Sequence, residues 1–162
     1  MDAAVDSQKK YDNYREQMGR LSKALKEHFY LEAIFIEYAI LEDRLEAVLR
    51  HAGRWQPVEG EHVSIDRKAR LVAKLAEEKK NPAHKYFPPE LTDAILAWKE
   101  KRNGLIHALL KQSIHSEDLL AVAEEGLVLT KQMCSKATTH RRMLERKTRR
   151  EMRKEQEENE HE

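Results

Sequence analysis

An arginine, an amide and an imidazole lie close together at Arg102, Asn103 and His107, within the stretch Trp98-Lys99-Glu100-Lys101-Arg102-Asn103-Gly104-Leu105-Ile106-His107-Ala108-Leu109-Leu110. The stretch reads as the second half of an amphipathic helix that begins near Pro89. At about 100° of turn per residue, Leu91, Ile95, Trp98, Leu105, Ile106 and Leu109 share one broad apolar face. Arg102 falls in the middle of that face. A guanidinium cannot shed its proton to escape burial, so it needs a carboxylate, or it borders a cleft where an anion can sit. Asn103 and His107, four residues apart, stand one above the other on a neighbouring and wetter face. A permanent cation, an amide and an imidazole thus converge on about one turn of helix, a constellation suited to handling an anion. The bland alternative is a core ion pair at Arg102 and an incidental histidine, since structural ion pairs also put charge on core faces. A second arginine-to-histidine spacing, Arg44 to His51, lacks the adjacent amide.

The elements around this stretch read as helices. Tyr11, Tyr14, Met18, Leu21 and Leu25 form a helical seam, with Gly19 a candidate break. The most apolar helix spans Phe29 to Ala52 and carries two apolar faces. Tyr30, Ile34, Tyr38, Leu41, Leu45 and Val48 make one; Phe29, Ala33, Ile36, Ile40 and Ala47 make the other. Apolar residues on two sides predict burial in the chain's own core and against a second copy. Glu37 and Arg44 sit between the faces. Glu37 is the carboxylate expected to pair with Arg102, because an unpartnered buried charge is costly. Glu42 is the reserve.

Gly53 fits a helix stop, and Arg54 to Val63 reads as loop. His51 and His62 flank it without a third ligand, so no metal site is expected there. Ser64 is the expected N-cap of a helix ending near Lys80, where Asn81-Pro82 stops it. Pro89 suits a first helical position. Gly104 costs its helix about 1 kcal/mol relative to alanine, and the missing Cβ either admits a partner backbone or is tolerated drift. Ser116-Glu117-Asp118 caps a last helix that stays apolar on one side through Ala137. Cys134 reads as packing.

Composition sets the limits. The 162 residues include only 5 glycines and 4 prolines, which favours long helices. With 1 cysteine there is no internal disulfide and no cysteine-based zinc site. No run is long enough to span a bilayer and no leader is evident, so a cytoplasmic protein without membrane contact is expected. The formal net charge of +1 does not announce a nucleic-acid binder. Yet residues 141 to 154 hold 8 basic residues against 2 glutamates, and residues 155 to 162 hold 5 glutamates. The expected organisation is one helical domain over 7–140 and a charged helical extension or tail over 141–162.

Arg-Asn-x-x-x-His on an apolar helix resembles the signature of the HEPN superfamily, all-α domains that include many metal-independent ribonucleases. Arg102, Asn103 and His107 fit the pattern over about one helix. In the group paired with a nucleotidyltransferase antitoxin a tyrosine follows two positions after the histidine; here that position is Leu109. The resemblance implies an up-and-down bundle of four to five helices, a homodimer, RNA as substrate, and no metal or cofactor. It casts His107 as general base or acid, Arg102 as stabiliser of phosphate charge and Asn103 as an orienting group, with Glu37 supporting. A toxin or phage-defence effector is the implied setting, and an antitoxin the partner such a setting brings. Two other classes stand beside it. One is a non-catalytic helical module of this fold that binds a protein or nucleotide. The other is an all-α nucleotide pyrophosphohydrolase, which would draw magnesium ligands from Glu37, Glu42, Asp43 and Glu46.

Overall fold

The computed structural model of the chain describes residues 2–58, 60–109, 111 and 114–159, with side chains described between residues 9 and 158 of these. Among them the chain is all-α. Six helices follow one another: α1 (Asp2–Lys26), α2 (Tyr30–His51), α3 (Ile65–Glu77), α4 (Ala83–Tyr86), α5 (Pro89–Ala108) and α6 (Ser116–Asn159). The count exceeds the four or five expected because a single-turn helix, α4, forms in the stretch read as a connection. The basic segment after residue 140 is helical and belongs to α6. Leu110, Glu160 and Glu162, which entered the expectations above, lie outside the described residues. No helix among the described residues is long and apolar enough to cross a membrane.

Local chemistry sets the helix ends. Gly53 takes a φ of 67°, and the amides of Gly53 and Arg54 reach back to the carbonyls of Arg50 and Leu49 at 3.0 and 2.8 Å. This paired closure satisfies the orphan carbonyls of α2 and favours a residue without a Cβ. The end of α1 uses the same closure with a histidine. His28 adopts a φ of 63°, and Phe29 N–H reaches the Ala24 carbonyl at 2.8 Å. Gly19 does not interrupt α1. The Ser64 hydroxyl accepts the Arg67 amide at the start of α3, as expected. That helix ends at Glu77, short of Asn81-Pro82. Asn81 instead starts α4, its Oδ1 accepting the Ala83 amide at 3.0 Å. Helix α6 starts at Ser116, and the cap falls one residue earlier than expected: Asp118 Oδ2 accepts the His115 amide.

The chain divides into two compact units. Met1–Leu41 with Ile95–Lys131 form the first, and Glu42–Ala94 with Gln132–Glu162 form the second. In the first, the α1 seam buries Leu21 and leaves Tyr11 exposed. Ile34 and Leu41 are buried on one side of α2, and Ala33, Ile36 and Ile40 on the other. Most of both faces drawn on α2 is therefore buried within the chain, and on the second face Phe29 is left exposed. The large apolar side chains that α2 and its approach leave exposed are Phe29 and Phe35.

In the second unit, the buried Lys68 bridges Glu42 at 3.2 Å and Glu46 at 2.9 Å, with its ammonium over the Trp55 ring. Burial alone would raise the Glu46 pKa. Hydrogen bonds from Lys68 and Arg50 outweigh it and hold the carboxyl below its usual range. Glu42, the reserve partner for Arg102, is thus engaged by Lys68. His140 is fully buried, edge-on to Phe87 at 5.3 Å and Tyr86 at 6.1 Å between ring centroids. Neither ring nitrogen has a hydrogen-bond partner among the described residues. Burial, reinforced by the charge of His51, pushes its pKa down, so this imidazole packs as a neutral ring.

Candidate functional site

Helix α5 carries the three motif residues, and the first unit positions them. Trp98 is the anchor. Its ring is fully buried, and its Nε1–H donates to the carbonyl of Val122 on α6 at 2.8 Å. The indole lies this close because the α6 residue one turn on is Gly126. A Cβ built there would sit 2.7 and 2.8 Å from two ring carbons of Trp98 and would collide with Glu37 Oε2. Lys101 adds a rim contact between the same helices, bridging both carboxylate oxygens of Glu125 at 2.9 and 2.7 Å. The close-approach glycine of this fold is therefore Gly126. A Cβ at Gly104 would meet nothing within 4 Å, so no described part of the chain uses the space there.

The two glycines carry a prediction of opposite signs. Gly104→Ala should stabilise the fold by about 0.5–1 kcal/mol, the helix-propensity gain at an open position. Gly126→Ala should destabilise by about 1–3 kcal/mol despite the same gain, because a fully buried indole cannot yield to a new methyl. Denaturant melts of the two variants decide this. A stabilised Gly126→Ala protein would show that α6 shifts freely against Trp98.

One turn beyond Trp98, Arg102 lies half-buried against α2. Its guanidinium carbon stands 4.4 Å from the Tyr38 ring centroid and 5.1 Å from that of Phe35. Nη1 donates to Asn103 Oδ1 at 2.9 Å, and the buried Nε has no partner among the described residues. Two aromatic rings and a neighbouring amide hold the fork by cation–π attraction and one hydrogen bond. His107, in the last turn of α5, is exposed. Asn103 and His107 share a face by their spacing of four. Arg102 and His107 are separated by about 140° around the helix and about 7.5 Å along it.

Glu37 does not do what its position on α2 suggested. It is fully buried, and neither carboxyl oxygen has a hydrogen-bond partner among the described residues. It faces Gly126 and Trp98, whereas Tyr38 and Phe35, about 100° and 160° around α2 from it, face Arg102. The expected Glu37–Arg102 ion pair is absent, and burial instead raises the Glu37 pKa from 4.5 to about 9. At neutral pH the group is a carboxylic acid. Arg102 consequently forms no ion pair with a carboxylate of the described residues, and its guanidinium keeps donor capacity for an anion.

Among the described residues no three histidine, cysteine or acidic side chains gather as a metal would require. The carboxylates weighed for magnesium are dispersed. Glu42 and Glu46 hold Lys68, Arg44 Nε donates to Asp43 at 3.0 Å, and Glu37 is protonated. Sequence reasoning missed Tyr38 and Phe35 as the support of Arg102, and Gly126 as the contact for Trp98. The signal for the first was present, since Phe35 and Tyr38 sit three apart on one side of α2. No family model, no curated protein and no solved structure matches the chain.

Proposed function

We propose that the protein is a metal-independent endoribonuclease of the HEPN type, with Arg102, Asn103 and His107 as its working residues. The observation that carries this reading is the state of Arg102: a guanidinium propped on two aromatic rings and tied to Asn103, with no carboxylate among the described residues neutralising it. A structural ion pair would have left Arg102 satisfied. In the proposed reaction an exposed His107 imidazole takes the proton of a ribose 2′-hydroxyl. The 2′-oxygen then attacks the adjacent phosphorus, and the bond from phosphorus to the 5′-oxygen of the next nucleotide breaks. The departing oxygen receives a proton from an imidazolium, leaving a 2′,3′-cyclic phosphate and a 5′-hydroxyl. Arg102 neutralises charge that grows on the phosphate, and Asn103 keeps one arm of the fork fixed.

A second copy of the chain completes the site in this reading, because in-line attack puts the 2′-oxygen and the departing 5′-oxygen on opposite sides of phosphorus, where one imidazole does not reach both. Phe35, on the helix that supports Arg102, and Leu109, just past the end of α5, are 51% and 37% exposed and offer apolar surface beside the motif. Purified protein incubated with mixed RNA in EDTA is expected to yield fragments ending in 2′,3′-cyclic phosphate. Sedimentation equilibrium is expected to report about twice the 19.0 kDa chain mass. Intact RNA after incubation ends the enzymatic reading and leaves a helical binding module. A 19.0 kDa monomer that still cleaves removes the second copy alone.

A further inference from the structure

Helix α6 continues well beyond the core of the second unit, and its basic residues are sorted by direction. Taking about 100° per residue, Arg142, Arg146, Arg149, Arg150 and Arg153 fall within one sector of about 100°, over about 16 Å of helix. All five are exposed. None forms an ion pair with a described carboxylate. The two glutamates in the same segment are spent elsewhere: Glu145 pairs with Arg141 and Glu151 with Lys147, both residues off the stripe. Like charges one turn apart repel, so a solvated helix gains nothing from gathering them. Between residues 142 and 153 the segment thus mixes signs away from the stripe and leaves the stripe cationic, and Glu157, one turn past Arg153, closes it.

We propose that this arginine stripe is a binding surface for the phosphodiester backbone of an RNA strand. A fork of donors suits phosphate better than an ammonium does, and all five positions on the stripe are arginine. Other polyanionic surfaces fit less well. Met143, Leu144 and Met152 point in three separate directions, so the segment has no apolar face to enter a bilayer surface and no seam for a helical partner. A recess of about 330 Å³, lined by His51, Arg141, Leu144, Glu145, Thr148 and Arg149, opens at the edge of the stripe. Arg149 belongs to both, so a strand lying on the arginines has room for one nucleotide unit beside it. The choice of RNA rests on the ribonuclease reading above; the affinity for a phosphodiester backbone stands on the stripe itself.

The test is fluorescence anisotropy with the full chain and a labelled 2′-O-methyl RNA of about 20 nucleotides, which lacks the hydroxyl that cleavage needs. Arg146→Gln/Arg150→Gln removes two charges from the stripe. Lys147→Gln/Lys154→Gln removes two from the same segment, off the stripe and away from the recess. The stripe variant is expected to bind at least about tenfold more weakly at low salt. Its slope of log affinity against log salt should fall by about 1.4, from two lost single-strand phosphate contacts. The off-stripe variant should stay within about threefold of the parent. Equal loss in both variants, no binding by the parent, or arginine-dependent binding to phosphatidylserine vesicles at similar strength overturns the proposal. Cleavage of ordinary RNA is followed alongside. Stripe-dependent binding without cleavage removes the ribonuclease reading and keeps the surface; cleavage without stripe-dependent binding does the reverse.

Discussion

Across a pH series the parent protein should lose stability through neutrality while Glu37→Gln does not. The cause is one proton. Burial holds Glu37 protonated in the folded chain up to about pH 9, against 4.5 for the free group. Between those values the unfolded chain releases the proton and the folded chain keeps it, so folding binds a proton and is opposed by rising pH. The contribution of Glu37 is fully present below about pH 4.5, declines through the window, and levels off once the folded-state carboxyl also ionises near pH 9. Each pH unit inside the window is worth about 1.4 kcal/mol, so by pH 7 the loss is on the order of 3 kcal/mol. Gln has nearly the same shape and no proton to lose. Near pH 5 the two proteins should be of similar stability, and by pH 8 the variant should lead by a few kcal/mol. Guanidinium melts at several pH values measure the difference, and taking the difference cancels every other titrating group. Parallel profiles would mean that Glu37 ionises normally in the fold, which requires a cation or water at the Gly126–Trp98 contact.

The second large effect separates chemistry from stability at the motif. His107→Ala is expected to lower RNA cleavage by at least about 10²-fold, the usual contribution of a positioned proton carrier. Its stability should change by less than about 1 kcal/mol, since His107 is exposed. Arg102→Ala should also abolish cleavage and should cost about 1–2 kcal/mol from lost stacking on Tyr38 and Phe35. That is less than the about 3–5 kcal/mol expected when a buried carboxylate is stranded, because no carboxylate among the described residues is paired with Arg102. Arg102→Lys keeps the charge but not the fork, and should restore stability more than cleavage. A cleavage assay beside denaturant melts gives all six values. Full activity in the His107→Ala protein would falsify the catalytic assignment. A loss above about 3 kcal/mol in Arg102→Ala would show that Arg102 does balance a buried acid.

Much of this molecule was legible in the chain because helix signals are local. The apolar spacing at Leu91, Ile95 and Trp98 marked the buried side of α5, and Ser64, Pro89 and Gly53 marked ends that the backbone then adopts. Each depends on a residue and its neighbours within a turn or two. The motif residues were also found locally, as was the cationic character of the segment after residue 140. Partners were not local. Glu37 and Arg102 both sit on apolar helices, and a helical wheel gives each a direction but no distance. Only the packed first unit shows Glu37 turned to Gly126 and Arg102 turned to Tyr38 and Phe35. The same holds for the glycines. Gly104 drew attention beside the motif, yet the space above it is open, while Gly126 looked ordinary and proves to be where α6 receives the indole. Whether a missing Cβ matters depends on what arrives from a distant part of the chain, and that is decided by tertiary packing. Sequence by itself determined the helices and the chemistry they carry; tertiary structure decided which of those groups are neutral, which are propped, and which are left free to meet an anion.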